Sequence, residues 1–124
     1  MTDAGVIGFL YQQIRGTGAS QRWETHLRRS TDAINWSDLV LANVPATFPV
    51  KTFDPYLGDY DHVAADGNDL CGIFSTSNEP DLTHFPNGVV YQRNANFATR
   101  KLLGLDSVTT ISASIDPFFF RVKG

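Results

Sequence analysis

The sequence predicts an all-β protein, and three observations predict it. Runs of β-branched and aromatic residues are separated by clusters of Gly, Pro, Asn and Asp. Apolar residues keep no helical period for more than about two turns. The segment Ser30-Thr31-Asp32-Ala33-Ile34-Asn35-Trp36-Ser37 sets an S-x-D-x-x-x-W turn directly between two strand-like runs. In such a turn the Ser and Asp oxygens accept from nearby backbone N–H groups and fold the chain into a tight hairpin.

The elements follow in order. Residues 5–15 form a strand, apolar on both faces at first, as in a strand with neighbours on each side. Gly16-Thr17-Gly18-Ala19-Ser20 is a hairpin loop, and residues 22–29 return with Trp23, Thr25 and Leu27 on one face and Glu24, His26 and Arg28 on the other. After the S-x-D turn, residues 38–44 make an outer strand. Residues 45–60, rich in Pro and aromatics, read as an ordered crossing loop. Residues 62–65 and 69–76 form a hairpin about Asp66-Gly67-Asn68. Residues 88–93 and 100–105 are further strands, and residues 109–122 end in Phe118-Phe119-Phe120, which need a partner surface.

Composition bounds the function. A chain of 124 residues, 42% hydrophobic, buries one core, so one domain over residues 1–124 is expected. A net charge of −3 with scattered Lys and Arg excludes the basic stripe of a nucleic-acid binder, and Arg28-Arg29 reads as a solvated strand end. No apolar run reaches the roughly 20 residues of a membrane span, and no signal peptide opens the chain as given, so a soluble protein is expected, its location unknown. The single Cys71 excludes an intrachain disulfide and reads as a buried, inert thiol.

The S-x-D-x-x-x-W segment resembles the Asp box of sialidase-like, BNR-repeat β-propellers, with Ser30, Asp32 and Trp36 in the structural positions and Ala33 where that family usually has Gly. Pro55-Tyr56-Leu57-Gly58-Asp59-Tyr60 is similar to the GDY segment of the same proteins. The resemblance implies propeller blades of four antiparallel strands, with the box aromatic tucked into a hydrophobic layer. Gly8-Phe9-Leu10 recurs as Gly72-Ile73-Phe74, with Leu27 answered by Tyr91 at the same offset of about 64 residues. Blade one then spans about residues 1–45 and blade two about 60–107, with Asn94-Ala95-Asn96-Phe97 in place of a second box. Blade one lacks its innermost strand and residues 109–122 are surplus, which leads to the expectation that this strand completes a neighbouring subunit. A homotrimer would thus close a propeller of about six blades.

The resemblance implies a carbohydrate-facing protein. A complete sialidase site is absent: Glu24 and Glu79 are the only glutamates, neither sits in a matching catalytic motif, and the opening arginine motif is missing. The expected function is a non-catalytic binding or scaffold module for glycans, with Asp59, Tyr60 and His62 as contacts; the alternative is a fragment of a glycoside hydrolase whose catalytic residues lie on missing blades. No cofactor or metal is expected, since Asp66-Gly67-Asn68-Asp69 reads as a hairpin and His26, His62 and His84 lack ligand spacing.

Overall fold

The structure, a computed structural model, describes residues 1–51, 57 and 60–124. The first sheet is a meander of three antiparallel strands, β1 (Ile7–Arg15), β2 (Arg22–Ser30) and β3 (Ser37–Pro45). The second contains β4 (His62–Asp66), β5 (Asp69–Ser77), β6 (Val89–Val90) and the C-terminal β10 (Ile115–Lys123), in the order β4-β5-β10-β6. A small third sheet joins β7 (Ala95–Asn96), β8 (Lys101–Leu103) and β9 (Thr110–Ile111). The all-β expectation holds.

One face of each large sheet builds a common core. Leu27, Leu41, Ala42 and Val44 come from the first sheet and Leu70, Phe74, Phe118 and Phe120 from the second, with Val6 and Phe85 closing the ends. Trp23 packs against this core, as the strand periodicity predicts. Alternation explains the selection on β10: Phe118 and Phe120 point inward while Phe119 points out. Between Thr25 and His26 the β2–β3 register shifts. This bulge lets Leu41 and Ala42 both be buried and leaves His26 on the outer face.

The second blade is corrected. Residues 109–122 are no surplus: β10 pairs with β5 along nine positions from Ile115↔Ser77 to Lys123↔Asp69 and with β6 through Phe119↔Val90 and Phe120↔Val89. In this structure its neighbours belong to its own chain. Burial of two phenylalanines against Phe74 and Phe85 explains the insertion; the Phe85 and Phe118 rings lie 4.7 Å apart. Residues 101–103, expected beside residues 88–93, pair with β7 and β9 instead. Cys71 is half-buried on the outer side of β5.

Asn78 ties the two ends of the insertion together. Fully buried, it donates from Nδ2 to Ser114 Oγ (2.9 Å) and Asp116 (2.8 Å) and accepts the Ser114 N–H on Oδ1 (2.7 Å). Its carbonyl accepts the Tyr91 hydroxyl at 2.6 Å. Burial first, then the Asp116 carboxylate, pushes that hydroxyl up to about 12.

The turn between β2 and β3 has the geometry its residues predict. Ser30 Oγ accepts from the Ala33 N–H at 2.8 Å, and Asp32 Oδ1 accepts from Ile34 and Asn35 at 2.9 and 2.7 Å. These donors, the Asn35 bonds foremost, hold the Asp32 carboxyl well below the usual carboxylate range. Ala33 takes φ 60°, the left-handed conformation that glycine would adopt without strain. A second loop repeats the device. Asp106 Oδ1 accepts from Val108 and Thr109 at 3.0 and 2.9 Å, and Ser107 stands at φ 60°. The Asp106 carboxyl falls to about 2, chiefly through the Thr109 hydroxyl.

Candidate functional site

The outer face of the first sheet carries the densest polar cluster. The register aligns Phe9 with Arg28, Tyr11 with His26 and Gln13 with Glu24 across β1 and β2, and Arg28 with Asp38 across β2 and β3. Side chains at these positions share a face because successive positions alternate.

His26 is the centre of the cluster. Its Nδ1 lies 2.7 Å from Asp38 Oδ2, and its Nε2 lies 3.2 Å from Glu24 Oε2 and 3.1 Å from the Gln13 amide nitrogen. Gln13 also donates to Glu24 at 2.9 Å, and Asn43 donates to the other Glu24 oxygen at 3.3 Å. A neutral ring donating Nδ1–H to Asp38 accepts from Gln13 on Nε2, and a protonated ring donates Nε2–H to Glu24, so either form is satisfied. The imidazole thus lies between the two carboxylates.

The imidazole also serves as a shelf. Tyr11 stacks on it with centroids 5.0 Å apart and planes within 11°, and Phe9 stacks on Tyr11 at 5.8 Å. Burial first, then the Asp38 carboxylate, raises the Tyr11 hydroxyl above its ordinary value, so it stays a neutral donor and acceptor. Phe9 is 56% exposed. At the end of the row, the Arg28 guanidinium lies 5.8 Å from the Trp36 ring. The result is a row of stacked rings that runs from the buried His26 to the exposed Phe9, bordered by carboxylate, amide and guanidinium groups.

Of the sequence-predicted contacts, Tyr60 and His62 are among the described residues. Asp59, with most of the GDY segment, falls outside the described residues. Tyr60 is exposed and His62 lies on β4, exposed and opposite Ile73 in the second sheet, so neither joins the His26 cluster. Trp36 does not enter a hydrophobic layer: it is partly exposed, rests against Arg28 and donates from Nε1 to the Ala33 carbonyl at 3.2 Å. Glu24 and His26 were legible as one face, but Tyr11, Gln13 and Asp38 join them only through a cross-strand register.

A second histidine has a different environment. His84, 6% exposed, lies 3.8 Å from Glu79 and 3.7 Å from Asp81, and Arg100 binds both of those carboxylates. Burial lowers its pKa; Asp81 and Glu79 oppose that shift, while Arg22 and Arg100 add to it. The folded state therefore holds a neutral ring that the unfolded chain protonates near its ordinary 6.5, so this contribution is complete above that pH and is lost as pH falls below it. Wild-type urea midpoints are expected to decline between about pH 7 and 5 more steeply than those of His84→Gln. Parallel curves for the two proteins would remove His84 as the cause.

Among the described residues no His, Cys, Asp and Glu cluster forms a metal site, and no helix is long and apolar enough to cross a membrane. No family model, curated protein or solved structure matches the chain.

Proposed function

We propose that the protein is a non-catalytic glycan-binding module that uses the outer face of the first sheet. The observation that carries this reading is the Phe9–Tyr11–His26 stack, held in place by Asp38, Glu24 and Gln13. Aromatic faces cover the C–H faces of pyranose rings, and the bordering carboxylate, amide and guanidinium groups bond their hydroxyls. Rings already fixed by stacking and hydrogen bonds lose little entropy on binding. An elongated row with an exposed ring at its end suits a saccharide chain.

The likeness to sialidase-type propellers belongs to this proposal through one arrangement: a three-stranded meander with the Asp32 turn between its second and third strands. That arrangement matches a blade without its innermost strand.

Affinity electrophoresis against a panel of soluble polysaccharides tests the reading. Retardation by one or more polymers is expected, with Tyr11→Ala weakening it about tenfold or more while the fold is kept. No retardation by any polymer, or equal retardation of the variant, would overturn it. Turnover of a fluorogenic glycoside that disappears in Glu24→Gln would replace binding with hydrolysis.

A further inference from the structure

His84 is a buried ring that stands close to two carboxylates and is hydrogen-bonded to neither. It closes the short 3-10 turn Leu82–His84. Its Nδ1 lies 3.8 Å from Glu79 Oε2 and its Nε2 lies 3.7 Å from Asp81 Oδ2, both beyond hydrogen-bond reach. Among the described residues Nδ1 has no hydrogen-bond partner at all. The carboxylates are held instead by Arg100, whose Nη2 lies 3.2 Å from Glu79 Oε1 and 2.6 Å from Asp81 Oδ2.

Two carboxylates here share one guanidinium, so the group carries one negative charge in excess. A proton on His84 cancels that charge, and a movement of about 1 Å brings both ring nitrogens within bonding distance of the two carboxylates. Asp81 stays ionised meanwhile, because the Thr83 hydroxyl and N–H donate to its Oδ1 and hold the carboxyl below its ordinary value. The remaining charged group that acts on the ring is Arg22, on β2. Its Nε donates to Asn43 at 2.6 Å, so it does not compete for the carboxylates.

Arg100 is the partner that yields. Its side chain is 52% exposed, so water receives the guanidinium at little cost, whereas the imidazolium has only the two carboxylates to turn to. Its backbone stands at φ 54°, a left-handed conformation that a residue with a side chain keeps only while its contacts hold it. It ends the turn between β7 and β8, and its ion pairs tie that hairpin to the segment carrying Glu79, Asp81 and His84. We propose that protonation of His84 exchanges the partner of Glu79 and Asp81, the imidazolium replacing the Arg100 guanidinium, and so frees the turn between β7 and β8. The exchange falls below pH 6.5, since burial above all lowers the pKa of the ring from that value. This device is separate from the Tyr11 row and does not rest on the glycan reading.

Side-chain NMR of the full chain, titrated from about pH 7.5 to 5, tests it. A guanidinium clamped by carboxylates turns slowly about its Nε–Cζ bond and shows separate Nη signals, whereas a free one shows a single averaged signal. Arg100 is expected to pass from the first form to the second at the midpoint of the His84 ring, with the amide signals of residues 97–100 moving alongside. In His84→Gln it is expected to keep separate signals throughout. Arg121, held by Asp66 and Asp69, is the internal control and is expected to keep one form in both proteins. Arg100 signals that stay constant while the ring titrates would overturn the proposal, as would the same transition in His84→Gln or a ring that stays neutral until the protein unfolds. The wild-type titration decides even without a folded variant: ring and guanidinium midpoints about one pH unit or more apart also sink the exchange.

Discussion

Replacing Phe120 with alanine is expected to lower the free energy of unfolding by about 3–5 kcal/mol. The side chain is fully buried, its ring centroid lies 6.2 Å from that of Phe74, and it belongs to the core shared by both large sheets. Removing it deletes transfer energy and leaves a cavity, and the neighbouring Phe74 ring cannot collapse far into it. A domain of this size is stable by roughly 5–15 kcal/mol, so the variant gives up about a fifth or more of its margin. Phe119→Ala supplies the contrast, because Phe119 lies on the opposite face between Ile73 and Val90, which are themselves 43% and 48% exposed. Its cost is expected to stay below about 1.5 kcal/mol, in line with surface substitutions. Urea midpoints of the two variants check the ranking, and equal losses would mean that β10 presents a different face.

The sequence revealed what local pattern encodes. The strands of the first sheet were readable because Trp23, Thr25 and Leu27 alternate with Glu24, His26 and Arg28, and because Ser30 and Asp32 mark the turn between β2 and β3. The Asp66-Gly67-Asn68 hairpin was readable for the same reason: Gly67 takes φ 58°, which its residue type permits. Insertion of β10 was not, since pairing between residues 69–77 and 115–123 leaves no trace in either segment alone. Reading the strands as consecutive blade members placed 88–93 and 100–105 side by side, whereas the demand of Phe118 and Phe120 for burial parts them. The second Asp loop was missed because Asp106 has neither the preceding Ser nor the following Trp; only the spacing of Asp106 to Thr109 echoes Asp32 to Asn35.

The candidate sites show the same division. Both Glu24 and His26 lie on one strand, so their shared face follows from period two. Tyr11 and Asp38 come from the strands on either side, and a shift of one residue would send both to the core face. Adjacent arginines at positions 28 and 29 read as one solvated pair, yet alternation sends Arg28 to the outer face beside Trp36 and Arg29 to the opposite one.

Gly72→Ala is expected to be as damaging as the loss of a core ring, about 3 kcal/mol or more, though it adds only a methyl group. A Cβ at this position would stand 2.0 Å from the His62 carbonyl oxygen and 2.9 Å from Phe120 Cε1. The ring can give way, but the carbonyl belongs to the β4 backbone that pairs with β5 through Val63↔Gly72, so relief requires the two strands to part. Two other glycines separate the causes. Gly8 would direct its Cβ at the Leu70 methyl groups at 2.9 Å, the far end of a flexible side chain, and Gly8→Ala is expected to cost less. Gly67 has open space but φ +58°, so Gly67→Ala meets only the left-handed penalty of about 1–2 kcal/mol. Combining Gly72→Ala with Phe120→Leu discriminates further: if the carbonyl is the barrier, the smaller residue leaves the glycine penalty in place. Recovery in the double variant would locate the conflict in the ring instead, and a fully stable Gly72→Ala would show that β4 does not lie against β5 in this register.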